Sequence, residues 1–175
     1  AQSILLTSSV EEALALKQRF PSALLMGEVG GLPVPGFDFS NSPTLITQQD
    51  LTGRTMIQRT SAGTQGVARS TRADLLLASS LCCASATAIW ISQHAAHYPR
   101  VTFVITGKNH DGWGDEDEAC ADAIECLLLG KEPYRAGLIQ RVRASQAGQV
   151  FLDPNEPEFP ESDLEYCTAV DRFDF

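Results

Sequence analysis

Thr55-Met56-Ile57-Gln58-Arg59-Thr60-Ser61-Ala62-Gly63-Thr64-Gln65 is the stretch on which the reading of the fold turns. Its first six residues have strand character. A small polar turn carrying one glycine follows, and a helical pattern begins near Gln65. A strand whose carboxyl end opens straight onto a helix is half of a βαβ unit, the building block of parallel sheets. Upstream, Ile4 to Thr7 is a short apolar strand. Ser8-Ser9-Val10-Glu11-Glu12 then opens a helix, with serine as N-cap and acids in the first turn to complement the helix dipole. Ala13, Leu14, Leu16 and Phe20 give that helix its apolar side, Pro21 stops it, and Ala23 to Met26 forms a second strand ending at Gly27-Glu28.

Downstream, Asp74 to Ser79 and Val101 to Thr106 are apolar runs of strand length, separated by a largely apolar helix over 82–98. Further helices are predicted over 116–129 and 133–146, and a short one within 161–170. The last of these lies in an acidic, proline-rich tail that begins after Leu152. The alternation predicts an α/β fold: a three-layer α/β/α arrangement of one domain over residues 1–175, with five strands in a mainly parallel sheet covered on both faces. Residues 29–43, rich in glycine and proline, read as a long irregular loop.

The chain has 175 residues, 43% hydrophobic and 20% charged, an ordinary globular balance. Its 22 acidic against 13 basic residues leave a formal net charge of −9, which disfavours nucleic acid and anionic membrane surfaces as partners. Cys82, Cys83, Cys120, Cys126 and Cys167 form no CxxC pair, so neither a zinc site nor a disulfide framework is expected, and a reducing, cytoplasmic setting fits. No run reaches the ~18 apolar residues of a membrane span. The first residues carry no secretion signal and read as a strand entered midway. A homodimer is the default expectation for a chain of this kind.

In sheets of this kind ligands sit beyond the carboxyl ends of the strands. That rule selects three segments: Gly27-Glu28 with its loop, Thr60 to Thr64, and Gly107 to Asp117. In the second of these, unpaired N–H groups at a helix start together with the Thr60, Ser61 and Thr64 hydroxyls suit a phosphate, with Gly63 allowing close approach. An ordinary capped turn is the other reading. Glu28 places a carboxylate at a strand's end, and Asp38 follows ten residues on. Mg²⁺ takes one or two carboxylates plus water and phosphate oxygens, and these two acids meet that demand. Asp38 and Asn41 equally suit capping of their own loop. In the third segment His110 is a candidate general acid or a solvated loop residue, and Trp113 stacks on a ligand or packs its loop. His94 and His97, three apart on a helix, read as surface residues, and Cys82-Cys83 as small buried ones.

Several of these segments resemble the 2-phosphosulfolactate phosphatase family: Ser9-Val10-Glu11-Glu12-Ala13, Gly27-Glu28-Val29-Gly30-Gly31, Gly36-Phe37-Asp38-Phe39-Ser40-Asn41-Ser42-Pro43, Arg59 to Thr64, and Glu116-Asp117-Glu118-Ala119-Cys120-Ala121-Asp122. Their order and spacing match over about residues 4–130. The resemblance implies Mg²⁺-dependent hydrolysis of 2-phosphosulfolactate to sulfolactate and phosphate, a step of coenzyme M biosynthesis, or of another small phosphoester. It implies Glu28 and Asp38 as catalytic residues and, with Asp117, as metal ligands. Arg59, Thr60, Ser61, Gly63 and Thr64 then hold phosphate, and Asn41 and Ser42 hold the rest of the substrate. It also implies a preceding strand with an Asp-Val-Leu-Arg-Ala-like motif, so the chain is expected to be incomplete at its N-terminal side. Relatives often carry Asn or Asp where Ala62 precedes the glycine. A non-catalytic phosphoester- or anion-binding domain is the alternative.

Overall fold

Strand β4, Thr55–Arg59, lies at the centre of a four-stranded sheet. It pairs in parallel with β1 (Ser3–Thr7) on one side and with β2 (Leu24–Val29) on the other. The order is β1-β4-β2-β3, where β3 is the two-residue Leu32–Pro33 strand, antiparallel to β2. The computed structural model describes residues 1–98, 100–107 and 114–175. The backbone forms two compact units, Ala1–Leu76, which holds this sheet, and Leu77–Phe175, which is helical.

In the first unit, helix α1 (Val10–Arg19) starts on a capping box. Ser9 Oγ accepts the Glu12 N–H at 3.1 Å and Glu12 Oε2 accepts the Ser8 N–H at 2.8 Å, which satisfies donors a helix start leaves orphaned. Ala13 and Leu16 of α1 pack with Leu5, Ala23, Leu25, Ile57 and Phe37 on one sheet face. Alternation sends Met26 and Met56 to the other face, where both are buried, while Ile4 and Leu6 of β1 stay exposed. Ile57 and Met56 each contribute about 1.5–3 kcal/mol by full burial. Two short helices complete the unit, α2 (Pro43–Ile46) and α3 (Gly63–Arg69).

In the second unit a tight turn at Leu81–Cys83 leads into α4 (Ala84–His94). Helices α5 (Asp115–Leu128), α6 (Arg135–Ala144), α7 (Gln146–Val150) and α8 (Glu161–Cys167) follow. Leu81, Ala119, Ala123, Val142 and Leu164 form one core cluster, and Ala84, Ala88 and Ile124 another. The tail returns to the unit's beginning. Asp171 N–H donates to Leu81 O and Phe173 N–H to Cys82 O, each at 2.9 Å. The Asp171 carboxylate also accepts from Ser85 N, Ser85 Oγ and Arg135 Nη2.

The mixed α/β class and the parallel pairing are as the sequence predicts, but the strand count is not. Residues 74–79 and 101–106 are extended chain outside any ladder. A strand exists only where a neighbour takes up its N–H and C=O groups, and among the described residues no neighbour does so here. Their apolar side chains are accordingly exposed, from 37% at Phe103 to 55% at Val104. The loop over 29–43 is ordered, in keeping with its apolar residues Val34, Phe37 and Phe39. It holds β3, the first residue of α2, and a parallel bridge from Phe39 to Met26.

Candidate active site

The site is the carboxyl edge of β2 and β4. Register sets Gly27 of β2 opposite Arg59 of β4, so Glu28 and Thr60 emerge side by side. The approach is close: a Cβ on Gly27, whose φ is +141°, would lie 1.8 Å from the Arg59 carbonyl oxygen. Only glycine fits, and the two strand ends meet because of it. Beyond Glu28 the chain turns back through Gly30 and Gly31, both at positive φ, in a two-residue hairpin.

Glu28 is 6% exposed and its carboxylate is fully engaged. Oε1 accepts the Ser61 N–H at 2.5 Å, and Oε2 accepts the Ser61 hydroxyl at 2.9 Å and the Gly31 N–H at 2.7 Å. Ser61 Oγ in turn accepts the Gly30 N–H at 2.7 Å and Arg59 Nη1 at 3.2 Å. Arg59 Nη1 also donates to the Glu28 carbonyl at 2.7 Å. No carboxylate among the described residues lies within 4.0 Å of the Arg59 guanidinium, and its Nε is buried without a partner. A cation of this kind beside an exposed serine hydroxyl is chemistry suited to an anion. Gln65 Nε2 ties the turn to β1 through Ser8 O at 2.7 Å.

The other predicted residues are placed differently. Thr60 and Thr64 close the turn on each other: Thr64 N–H donates to Thr60 Oγ1 and Thr60 N–H to Thr64 Oγ1, at 3.0 and 2.9 Å. Thr64 Oγ1 donates to Thr60 O at 2.9 Å and the residue is buried, so its hydroxyl serves the turn and not a ligand. Gly63 opens α3 beyond Ala62, which makes no side-chain cap bond. Asp38 sits alongside Leu25, three residues back along β2. Its Oδ2 accepts the Leu25 N–H at 2.8 Å and lies 3.9 Å from Lys17 Nζ. The bond is to strand β2 and not, as the capping alternative has it, to the backbone of its own loop. Asn41 is exposed, and Ser42 caps α2 by accepting the Leu45 N–H at 3.3 Å.

In the second unit, Asp117 Oδ2 accepts from Thr106 N and Oγ1 at 2.9 and 3.0 Å. Gly107 and Gly114 come together so closely that a Cβ on Gly107 would lie 2.3 Å from the Gly114 Cα. His110 and Trp113 lie outside the described residues. His94 stacks on Trp90 with ring centroids 3.8 Å apart and its Nδ1 bonds Trp90 O, a helix-end role.

The donor set therefore does not fit the expected Mg²⁺ ligands. Glu28, Asp38 and Asp117 are each committed to N–H or O–H donors of their own surroundings, and among the described residues no three of His, Cys, Asp and Glu gather as a metal would require. Pairing at i and i+4 was the signal in the sequence that Thr60 and Thr64 serve each other. The Gly30-Gly31 turn, whose N–H groups hold Glu28 and Ser61, is the part of the site that motif reading missed.

A mainly parallel sheet accompanied by helices defines a mixed α/β protein. The particular family follows from comparison with known proteins. The chain belongs to the 2-phosphosulfolactate phosphatase family of phosphoric monoester hydrolases, whose model matches residues 1–175. It is 31% identical over 176 residues to the "Probable 2-phosphosulfolactate phosphatase" of Bacillus subtilis (strain 168), covering 100% of this chain and 75% of that protein. The like-named protein of Thermosynechococcus vestitus is 26% identical over 194 residues, covering 98% and 77%. That of Thermoplasma acidophilum is 27% identical over 172 residues, covering 98% and 73%. Among the described residues no helix is long and apolar enough to cross a membrane.

Proposed function

We propose that this chain hydrolyses a small phosphoester, with 2-phosphosulfolactate, giving sulfolactate and phosphate, as the first substrate to test. The observation that carries the reading is Arg59: among the described residues no carboxylate lies within 4.0 Å of its guanidinium, and its Nε is buried without a partner, at the sheet edge where α/β ligands bind. Family membership over the whole chain supports the same reaction class. Arg59 binds and orients the phosphoryl group and stabilises charge that builds on its oxygens, while Ser61, whose O–H and N–H are both given to Glu28, holds Arg59 in place. Thr60, Thr64 and Glu28 shape the corner from behind. A cytoplasmic homodimer acting in coenzyme M biosynthesis belongs to the same proposal.

Mg²⁺ dependence is part of this reading through the family resemblance alone, and no step is routed through the metal. The test is phosphate release from 2-phosphosulfolactate and a panel of small phosphoesters, with Mg²⁺ and with EDTA. Turnover abolished by EDTA supports a metal-dependent phosphatase, and turnover indifferent to EDTA removes the metal from the proposal. A specific observation favours a second reading, that of a non-catalytic anion-binding domain: Glu28 and Asp38 each accept hydrogen bonds from their own surroundings, at Ser61 and Gly31 and at Leu25. It predicts phosphoester binding by the folded chain with no phosphate released under either condition.

A further inference from the structure

We infer that Glu28 is a positioning residue and not a metal ligand: its buried carboxylate clamps the β2–β3 turn to the Arg59–Ser61 turn and so fixes the corner that receives the anion. The inference uses the site of the proposed function but not its substrate or its turnover. Three features carry it. The first is saturation. Both oxygens of Glu28 are engaged, Oε1 by Ser61 N–H and Oε2 by the Ser61 hydroxyl and Gly31 N–H. A metal could enter only by displacing these donors, in a place where the residue is 6% exposed. The second is reach. Ser61 is 33 residues from Glu28 in sequence and Gly31 lies in the β2–β3 turn, so one carboxylate links two turns beyond the end of the β2–β4 ladder.

The third is reciprocity. The Gly30 N–H returns the link by donating to Ser61 Oγ, and Arg59 Nη1 bridges the Glu28 carbonyl and that same Oγ. The Glu28–Ser61–Arg59 ring, with Gly30 attached at Ser61, is thus closed without a metal ion, and no lysine, arginine or histidine among the described residues forms an ion pair with Glu28. A buried carboxylate stabilised by several N–H and O–H donors is a self-sufficient arrangement, and the chemistry it leaves for a ligand is the arginine beside it.

The test compares the full chain with Glu28→Gln and Ser61→Ala by three readouts that need no turnover: calorimetric titration with Mg²⁺ alone, titration with inorganic phosphate, and amide hydrogen exchange at Gly30, Gly31 and Ser61. A clamp predicts that Glu28→Gln leaves the Mg²⁺ titration within about twofold of the parent, absence of heat in both included, while phosphate affinity falls at least about tenfold. Exchange at the Gly31 and Ser61 amides should speed up by at least about tenfold as their acceptor is altered. A role in folding alone would not separate the phosphate and Mg²⁺ titrations. If Glu28→Gln does not fold, Ser61→Ala decides, because it keeps the carboxylate and removes one end of the clamp: faster exchange at Gly30 and Gly31 supports the inference, and unchanged exchange overturns it. Loss of Mg²⁺ affinity by about tenfold or more in Glu28→Gln, with Gly31 and Ser61 still protected, overturns it as well. Failure of every phosphoester to turn over sinks the phosphatase reading without touching these outcomes.

Discussion

Replacing Gly27 by alanine should be the most damaging single-methyl change in the sheet unit. At φ +141° an L-residue is strained, by about 1–3 kcal/mol. The added Cβ would also lie 1.8 Å from the Arg59 carbonyl oxygen and 2.8 Å from its carbon, both backbone atoms that cannot swing aside. Relief requires β2 and β4 to part by more than an ångström where Gly27 pairs with Arg59. That weakens the ladder end and the Gly27 N–H bond to Phe39 O, at about 1 kcal/mol for each hydrogen bond lost. The total is about 3–5 kcal/mol. For a chain of this size that lowers Tm by roughly 6–20 °C. Gly53 is the control. It also has positive φ, 67°, but open space around it, so Gly53→Ala should cost only about 1 kcal/mol. The assay is thermal melting by far-ultraviolet circular dichroism, since Trp90 and Trp113 both lie beyond residue 76 and make fluorescence a poor reporter of this unit. A Gly27→Ala protein melting within about 2 °C of Gly53→Ala would refute the close-approach argument.

Arg59→Lys replaces a fork that reaches the Glu28 carbonyl and Ser61 together with a single ammonium, and should raise KM for the phosphoester about tenfold with the fold intact by circular dichroism. Burial pushes the Cys120 thiol up to about 12, with Cys83, Asp117 and Cys82 adding to it, so at pH 8 maleimide should label Cys120 on the order of 10²–10³ times more slowly than a free peptide cysteine, as read by peptide mass mapping. Burial likewise raises the Glu116 carboxyl, with Asp117 and Asp115 adding to it. The folded state then holds that proton more tightly than the unfolded chain, so the contribution is present below the unfolded value of about 4.3 and is lost as pH rises through the folded one. Glu116→Gln should therefore match the parent's melting temperature near pH 4 and exceed it increasingly towards pH 8. Asp171→Asn removes the charge that faces Arg135 and Ser85 and should lower stability by about 1–2 kcal/mol in urea titration, with tail residues exchanging their amides faster.

Local signals carried a good part of this fold. Serine followed three residues later by glutamate marks the start of α1, and the strand-turn-helix run at 55–65 is β4 and α3 nearly as read. Leu75-Leu76-Leu77 and Val101 to Ile105 have the same apolar strand character, yet strand formation is a property of a pair, and pairing is decided by chain far away in sequence. Glu28 and Asp38 both follow β2, which suggested a shared ligand. What separates them is the path of the intervening chain: antiparallel β3 carries it back, and Asp38-Phe39 then lies parallel to Leu25-Met26, which sets Asp38 beside Leu25. Composition does not encode such a reversal. Arg59 and Ser61 stood out as candidates in the sequence because the end of a parallel strand is the place where an α/β sheet meets its ligand.

The hook of the tail onto the start of the second unit has a topological meaning. Ser85 and Asp171 stand 86 positions apart in sequence, yet the backbone and side-chain bonds around them bring the first and last stretches of the helical unit side by side. Closing a flexible loop of that length costs about 4 kcal/mol of chain entropy, which the core of that unit has to offset. Because beginning and finish are neighbours, the linear order of its helices is not the only order that could produce it. Residues 80 and 173 could be bridged by a short linker and the chain opened instead at the turn between α5 and α6, where Gly130 has positive φ and open space around it. The helical unit is, in this sense, a closed ring of elements that the natural chain happens to cut at one point.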